Sequence, residues 1–382
     1  LGILIVFKYM DFIIKNINYI SNSNIKLLRL VLPIGISFYT FQGLSYIVDV
    51  YKKDAKVCRS FVDFATYVCL FPQLIAGPIV RYTTIEDELK NRTHSFDKFA
   101  YGVNRFVVGL AKKVILANNL GMLVDIMTKS NEKSVLSYWM VAIFFSLQIY
   151  YDFSGYSDMA IGLGRMFGFD FLENFNYPFI SKNIKEFWRR WHISLSSFFR
   201  DYVYIPLGGN RVSRGRWIFN LLVVWSLTGL WHGDSWNFIL WGLYFAILLI
   251  IENLFLQNIL SKLPALIQHI YAKFFIIISF VIFNNENIKD LWSSLYNMFN
   301  FRGLDLYNDF STYYLKSYTV LLIVSMIGAT PILKNIIQKV NKNVTGQKVV
   351  STINPILNIV LLVVVTAYLI DGSFNPFLYF RF

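Results

Sequence analysis

Long apolar runs separated by short polar loops dominate the pattern along the chain. Seven runs approach the roughly 20 residues that a membrane-spanning helix needs: Leu27–Val48, Val135–Tyr150, Trp217–Leu230, Trp236–Ile251, Ala265–Phe283, Tyr313–Leu333 and Ile353–Ile370. Shorter or interrupted runs lie at the start, at Phe61–Val80 and at Val103–Met127. The pattern predicts an all-α polytopic membrane protein with about ten membrane segments.

Composition supports this interpretation. The chain is 55% hydrophobic and 15% charged, whereas soluble domains carry about 25% charged residues. Because no soluble domain, low-complexity linker or repeat of fixed period interrupts it, we expect one transmembrane domain over residues 1–382. The sequence opens inside an apolar run without an initiator Met or a signal peptide. We therefore expect a fragment from which N-terminal helices are missing.

The net charge of +13 is unevenly placed. Basic residues gather in cytoplasmic loops of membrane proteins, so the charge does not predict a nucleic-acid partner. Two loops are strongly basic, Lys182–Arg216 and Lys334–Lys348. Four apolar runs between them return the chain to the same side, which makes both loops cytoplasmic. One further span then places the aromatic tail, residues 371–382, on the extracytoplasmic side.

One apolar run is broken by residues that disfavour a helix. "LFPQLIAGPIVRY" (Leu70–Tyr82) contains two prolines, a glycine and a glutamine. Proline removes a backbone donor, and irregular backbone at membrane depth is tolerated only where protein or a water-filled cavity surrounds it. The run is predicted to line a cavity or to re-enter, with a simple helix kink as the alternative. Val31–Gln42, with Pro33 and Gly35, is a milder case.

His232 lies in "SLTGLWHGDSW", between two predicted spans, with Gly229 and Gly233 on either side. Ionisable groups inside a membrane are costly and are functional by default. A neutral imidazole beside a narrow passage can act as a general base. The alternative is a structural histidine that bonds to Asp234 at a helix end. The other isolated histidines, His94 and His269, are expected to be structural.

His192 lies in "NIKEFWRRWHISLSSFFRDYVYIPLGGNR". The stretch Lys182–Tyr202 has helical spacing, with a polar stripe and an aromatic stripe on either side of His192. The polar stripe consists of Lys182, Glu186, Arg189, Ser196 and Arg200, and the aromatic and apolar stripe of Trp188, Trp191, Leu195, Phe198 and Tyr202. Two interpretations stay open: an interfacial anchor, or an arginine-lined mouth for a phosphate-bearing donor.

Asp152 and Asp158 lie on a largely apolar helix within "QIYYDFSGYSDMAIGLGRMFGF". Buried carboxylates need partners, and arginines of the following segment are expected to supply them. The glycines of this stretch suit close helix packing. No nucleophile elbow, phosphate loop or zinc-ligand pair occurs, and Cys58 and Cys69 have no metal-ligand spacing. A serine-hydrolase, ATP-driven or metal-dependent mechanism is therefore not expected.

Four quoted segments together resemble the bacterial membrane-bound O-acyltransferases: "LFPQLIAGPIVRY", "YYDFSGYSDMAIGLGRMFGFDFLENFNYPF", "FWRRWHISLSSFFRDYVYIPLGGNR" and "LTGLWHGDSWNFILWGLY". The resemblance favours the alginate and peptidoglycan O-acetyltransferase branch over the branch that D-alanylates teichoic acid. It implies a helical bundle around a central funnel, with His232 as the principal catalytic residue and His192 as the second.

The same resemblance implies a transport route for acyl groups. A cytoplasmic donor, acetyl-CoA or an acyl carrier, would deliver acetyl without a bound cofactor. Donor-binding or funnel candidates are Arg81, Asp152, Lys185, Arg189, Arg190 and Arg200. An extracytoplasmic SGNH-type acetyltransferase or esterase would place the group on a polysaccharide. The implied location is the bacterial inner membrane, in contact with lipids.

The tail "FLYFRF" resembles the C-terminal Phe-x-Tyr tail of the small partner in D-alanylating systems. This resemblance implies that Tyr379 receives the acyl group with His232 as base. The alternative is an aromatic residue that anchors the tail at the interface.

Competing functions stay open at the level of the sequence. A transporter would also place His and Asp residues inside the membrane, and transfer of D-alanyl or another acyl group would use the same machinery. The sequence leaves the acceptor polymer open.

Overall fold

The structure, a computed structural model, describes residues 1–74, 77–372 and 377. Within these residues the regular structure is helical and contains no strand. The first half of the chain forms α1 (Gly2–Leu4), α2 (Met10–Ser21), α3 (Ile36–Lys52), α4 (Phe61–Cys69), α5 (Phe71–Leu74), α6 (Tyr82–Ile85), α7 (Phe96–Ala111), α8 (Asn118–Lys129), α9 (Val135–Met166) and α10 (Ile184–Arg190).

The second half forms α11 (Ile193–Phe199), α12 (Arg214–His232), α13 (Trp236–Ile251), α14 (Gln257–Leu260), α15 (Ala265–Asn284), α16 (Ile288–Asn297), α17 (Asp309–Ser317), α18 (Thr319–Gly328), α19 (Ile332–Val340) and α20 (Val344–Asp371). π-helical turns occur at Ile5–Tyr9, Lys112–Ala117, Arg200–Tyr204 and Glu252–Leu256, and a 3-10 turn at Pro178–Ile180. The predicted all-α class is confirmed.

Several helices are suited to cross a membrane. In the part of the chain that the structure describes, four stretches are long and apolar enough: Phe96–Lys129, Trp236–Leu260, Ala265–Asn284 and Val344–Asp371. Helices α17 and α18, bent by 57° at their junction, would make a fifth span if they count as one. The chain is therefore a multi-pass membrane protein, and the total of about ten segments stays a prediction.

Helix α9, with 32 residues, is the central element of the bundle. It begins at a capping box formed by Ser134 and Ser137, which satisfies amide groups that the first turn leaves free. It then packs against α7 through facing glycines: a Cβ on Gly109 would lie 2.6 Å from the carbonyl oxygen of Gly155. The predicted close packing of the glycine-rich stretch is confirmed.

Ion pairs join these two helices across their interface. Asp158 lies 2.5 Å from both the Arg105 guanidinium and the Lys112 ammonium, and Asp152 pairs with Lys113. The cations come from the preceding helix and its π turn. The expectation that arginines of the following segment supply them is wrong, because the glycine contact brings α7 alongside the acidic face of α9.

Three predicted segments are divided in the structure. Lys182–Tyr202 is not one helix but α10, α11 and a π turn, with a break at His192. Leu27–Val48 becomes helical only at Ile36, after Pro33 and Gly35. Tyr313–Leu333 contributes to three short helices, α17 to α19. Within Lys182–Tyr202, Trp188 and Trp191 are buried in the core. They therefore do not lie at a membrane interface, as the interpretation of this stretch as an interfacial anchor would require.

The α12–α13 hairpin, which carries His232, depends on backbone contact at Gly229. A Cβ there would lie 2.3 Å from the carbonyl oxygen of Phe238. We expect Gly229→Ala to lower stability by about 1–3 kcal/mol, because packed backbones cannot separate locally. Gly215→Ala is the matched control on the same helix, since open space surrounds Gly215. Thermal unfolding of the detergent-solubilised variants measures the difference, and equal midpoints for both would contradict it.

Candidate active site

His232 is the last residue of α12, and the chain continues through Gly233 in extended conformation, with φ of −170°. Its imidazole is 9% exposed and is surrounded by aromatic rings. The ring centroids of Trp231 and Trp241 both lie 4.9 Å away, and that of Phe283 lies 5.3 Å away. Within the described residues, Nε2 of His232 is buried and has no hydrogen-bond partner. In the tautomer that carries its proton on Nδ1, this nitrogen can accept a proton from a substrate that enters.

A small cavity lies against this imidazole. Its volume is about 40 Å³. Aromatic and aliphatic side chains form most of the wall, together with one carboxylate, that of Asp152; the lining residues are Ile149, Asp152, Phe153, Trp191, Trp231, His232, Trp241, Phe280, Phe283 and Phe377. The space suits a group of only a few atoms.

Phe377, in the C-terminal tail, contributes to the wall of this cavity. It is 8% exposed, and its ring lies 5.8 Å from Phe153 and 5.4 Å from Tyr156, measured between centroids. Phe377 thus reaches the same cavity as His232. Tyr379, two positions further on, lies outside the described residues.

His192 is fully buried at the N-terminus of α11 and has a left-handed backbone, with φ of +44°. Asn174 explains this conformation. Its Oδ1 accepts hydrogen bonds from the backbone N–H and the hydroxyl of Ser194, at 3.1 and 2.9 Å. The same oxygen lies 3.2 Å from Nδ1 of His192. Because left-handed geometry is unfavourable for a side chain other than glycine, these bonds have to compensate for it.

The same contacts define the tautomer of His192. A backbone N–H can only donate, so the Asn174 atom that faces it must be the amide oxygen. Nδ1 of His192 must then donate to this oxygen, and Nε2 is left with its lone pair. Nε2 is buried and has no hydrogen-bond partner among the described residues. His192 therefore also presents an acceptor nitrogen to the interior.

The two histidines both lie close to one aromatic ring. The centroid of Trp231 lies 5.7 Å from that of His192 and 4.9 Å from that of His232. The structure thus brings together both histidines that the sequence singled out. His94 is exposed in a loop, and Nδ1 of His269 lies 3.2 Å from the carbonyl oxygen of Ser181, away from this site.

Asp152 lies at the cavity and not at a donor mouth. It is 2% exposed and forms an ion pair with Lys113. Its charge is therefore balanced beside the imidazole of His232. The expectation of a structural ion pair is confirmed for Asp152. Asp152 was also predicted as a donor-binding or funnel residue.

The predicted donor-binding cations do not all share one cavity. Arg81 and Arg200 line a space of about 260 Å³ together with Ser194 and Asp201. Asp201 Oδ2 lies 2.7 Å from Arg81 and Asp201 Oδ1 lies 2.6 Å from Arg200. Burial disfavours ionisation of Asp201, but the hydrogen bonds from both guanidinium groups outweigh it and lower the pKa of this carboxyl group. The cavity therefore keeps two cations around one carboxylate.

The other cations lie elsewhere. Lys185 and Arg189 line a separate space of about 340 Å³ beside Glu252. Arg190 pairs with Glu186 at 2.9 Å and donates to the carbonyl of Asn176 at 3.2 Å. The break at His192 separates α10 from α11, so the predicted cluster does not converge.

The broken run Leu70–Tyr82 reaches the same region. Pro78, Ile79 and Arg81 line the cavity of Arg81 and Arg200, and the backbone N–H of Ile79 donates to the Ser194 hydroxyl at 3.0 Å. The prediction that this run lines a cavity is confirmed for its second half. Residues 75 and 76 lie outside the described part of the chain.

A larger cavity was not predicted from the sequence. Its volume is about 870 Å³, and its wall includes Tyr150 and Ser154 of α9 and Lys334. Glu173 and Ile193 line both this cavity and that of Arg81 and Arg200. Ile193 directly follows His192 in the sequence. Asn174 was also missed, since a lone asparagine gives no signal in a single sequence.

Comparison with known proteins adds independent information. The profile of the membrane-bound O-acyltransferase family matches residues 56–289. The chain is 44% identical over 305 residues to the probable alginate O-acetylase of Azotobacter vinelandii, which covers 79% of this chain and 61% of that protein. It is 36% identical over 331 residues to the peptidoglycan O-acetyltransferase of Helicobacter pylori, which covers 78% and 63%.

A more distant similarity also occurs. The teichoic acid D-alanyltransferase of Bacillus subtilis is 33% identical over 240 residues, which covers 59% of this chain and 60% of that protein. The chain spans about three fifths of the length of these curated relatives.

Proposed function

The chain belongs to the membrane-bound O-acyltransferase family, and on this premise we propose that it is an O-acetyltransferase. It would pass acetyl groups from a cytoplasmic donor across the membrane for O-acetylation of a cell-envelope polysaccharide. One observation carries the proposal: Nε2 of His232 is buried without a partner among the described residues and borders a cavity of about 40 Å³.

The chemistry follows from the free nitrogen. Nε2 of His232 takes the proton of an attacking hydroxyl group, whose oxygen forms a bond to the acetyl carbonyl carbon. The carbon–sulfur bond of the donor thioester breaks, and the thiolate leaves with the proton that the imidazolium returns. A thioester and a hydroxyl group thus become an oxygen ester and a thiol. His192, whose Nε2 also keeps a lone pair, would be the second catalytic histidine.

The donor, acetyl-CoA or an acyl carrier, carries phosphate, and Arg81 with Arg200 would bind it. Guanidinium groups match the geometry of phosphate oxygens, and this cavity shares Glu173 and Ile193 with the large one. The two spaces together would hold a long donor arm that ends near His192. Lys185, Arg189 and Arg190 would contribute a second cationic surface on the cytoplasmic loop. No resident cofactor or metal takes part in this proposal.

We also propose that Tyr379 relays the acetyl group on the extracytoplasmic side. The position of Phe377 in the wall of the His232 cavity supports this step. A phenol, with a pKa of about 10, loses its proton more easily than a serine hydroxyl group. Its ester would then transfer acetyl onward to the acceptor or to an extracytoplasmic SGNH-type acetyltransferase or esterase.

Tyr379→Phe tests the relay, because it keeps the ring and removes only the hydroxyl group. We expect polymer-bound acetate to fall to background while the protein accumulates normally. Tyr368→Phe is the matched control, since Tyr368 is 47% exposed on α20 and precedes the tail, residues 371–382. Wild-type acetylation in Tyr379→Phe would end the relay proposal and leave the role of His232 untouched.

The location and acceptor belong to the same proposal. The apolar helices would lie in lipid in the bacterial inner membrane, with residues 371–382 on the outer side. The greater identity to O-acetylating relatives, 44% and 36%, favours an alginate-like polymer or peptidoglycan. Radiolabelled acetyl-CoA supplied to membranes that contain the protein should yield acetate esters on the polymer. Label that never reaches polymer in the presence of the full export system would contradict the proposal.

D-alanyl transfer is the second candidate, because of the 33% identity to a D-alanyltransferase. Mass spectrometry of the acid released from the polymer by mild base separates acetate from D-alanine. A transporter is less well supported. Its intramembrane acids should face a permeation path, whereas Asp152 and Asp158 are paired with cations of the α7 segment.

A further inference from the structure

The N-terminal segment contacts the end of the helix that carries His232. Lys8 lies in the π-helical turn Ile5–Tyr9 and is only 6% exposed. Its Nζ donates to the carbonyl oxygen of Trp231 at 2.6 Å and lies 3.4 Å from that of His232. The hydroxyl group of Tyr9 donates to the carbonyl oxygen of Leu230 at 2.7 Å. Two neighbouring side chains therefore satisfy three successive carbonyl groups.

These carbonyl groups need external partners. The last four carbonyl groups of an α-helix have no partner within it, and α12 ends at His232 because Gly233 is extended. The site is lined by aromatic rings, so water is a poor substitute there. A cation at a helix C-terminus is also favoured by the helix dipole. Lys8 thus acts as a C-terminal cap that comes from more than 200 positions earlier in the chain.

A second set of contacts joins the N-terminal helix to Trp236, at the other end of the segment from Leu230 to Trp236. The Phe12 ring lies 5.6 Å from that of Trp236 in an edge-on arrangement. Nε1 of Trp236 donates to Oδ1 of Asn16 at 3.0 Å. Residues 8, 9, 12 and 16 follow helical spacing, so one side of the N-terminal helix contacts both ends of the turn from Leu230 to Trp236. His232 lies within that turn.

We propose that Lys8 is a positioning residue for His232, an inference that rests on the proposed function. The ammonium group holds the backbone carbonyl groups of Trp231 and His232. It thereby sets the position of the imidazole against the cavity that this imidazole lines. Loss of the cap would let the last turn of α12 unwind and would move Nε2 away from the reacting oxygen.

Steady-state kinetics with acetyl-CoA as the varied donor test this role in the full chain. Misplacement of a catalytic group by about 1 Å can cost on the order of 100-fold in rate. We therefore expect Lys8→Met to lower kcat by about 10- to 100-fold with KM for acetyl-CoA unchanged. Lys8→Arg, which keeps a cationic donor, should recover most of kcat. Lys15→Met is the matched control, because Lys15 is exposed on the same N-terminal helix.

His232→Ala, measured in parallel, separates the two proposals. If His232→Ala keeps wild-type kcat, the proposed function fails. If it is inactive while Lys8→Met keeps wild-type kcat, only the positioning role fails. A rise in KM with constant kcat would also overturn positioning, since it would assign Lys8 to donor binding.

Tyr9→Phe covers the case in which Lys8→Met does not accumulate as folded protein. It removes one hydrogen bond, to the carbonyl oxygen of Leu230, and leaves the ring. We expect kcat to fall several-fold without a change in KM for acetyl-CoA. Wild-type kcat in a folded Tyr9→Phe protein would overturn the proposal.

Discussion

His232→Ala is expected to remove nearly all acetate from the polymer while export of the polymer continues. General-base catalysis contributes about 10²- to 10⁴-fold to a rate, and no other acceptor nitrogen borders the small cavity within the described residues. His192 is not among the residues that line this cavity, so it is not positioned to replace the base. The measurement is ester-linked acetate per amount of exported polymer.

His94→Ala is the matched control, since this histidine is exposed in a loop and should keep full acetylation. The His232→Ala protein should also keep its thermal unfolding midpoint within a few degrees. Loss of polymer export with an unchanged degree of acetylation would favour a transporter. Retention of wild-type acetylation would remove His232 from the mechanism altogether.

Asp152→Ala is expected to cause the largest loss of stability. Asp152 is 2% exposed, and the side chain of its partner Lys113 is 15% exposed. Removing one partner of a buried ion pair leaves an uncompensated charge and costs about 3–5 kcal/mol. The double replacement Asp152→Leu with Lys113→Met removes both charges. It should recover most of the loss, because apolar groups of similar volume often substitute for a buried pair without cost.

The pair between Arg165 and Asp170 supplies the comparison. Its side chains are 33% and 38% exposed, and exposed pairs contribute about 0–1 kcal/mol. Arg165→Met should therefore change the free energy of unfolding little. Unfolding in mixed micelles with increasing denaturing detergent measures all four proteins. Equal destabilisation by Asp152→Ala and Arg165→Met would refute the buried-pair interpretation.

The uninterrupted apolar runs could be predicted from the sequence to within a few residues. Trp236–Ile251 is α13, and Ala265–Phe283 is α15 apart from its final residue. Both runs lack proline and begin beside Ser235 or Pro264, residues typical of helix starts. In such runs the hydrophobic pattern and the local capping residues indicate the same helix, so a single sequence is sufficient to predict its bounds.

The break at His192 could not be predicted in this way. Helical spacing continues through Trp191 and His192, yet the chain turns there because Asn174 bonds to Nδ1 of His192 and to Ser194. That partner lies 18 positions before His192, and local periodicity contains no information on it. The dispersal of the predicted cations follows from this break, since Arg189 and Arg200 end up on separate helical pieces.

The candidate site could be predicted only in part, because it too depends on contacts between residues that are distant in the sequence. His232 stands out in the sequence as an ionisable group between two spans, and its central position is supported by the structure. The cavity wall comes from α9, α12, α13, α15 and Phe377, elements that only the tertiary fold brings together. The cap from Lys8 depends on a contact across the length of the chain and gives no local signal.

The central claim is that His232 drives acetyl transfer from a donor on one side of the membrane to an acceptor on the other. Proteoliposomes that contain the protein in a single orientation test this claim directly. Radiolabelled acetyl-CoA is supplied on the cytoplasmic side, and the acceptor polysaccharide, with any required outer partner, on the opposite side. We predict labelled oxygen esters on the acceptor with the wild-type protein and with His94→Ala, and none above background with His232→Ala. Equal labelling by His232→Ala and the wild-type protein would contradict the account.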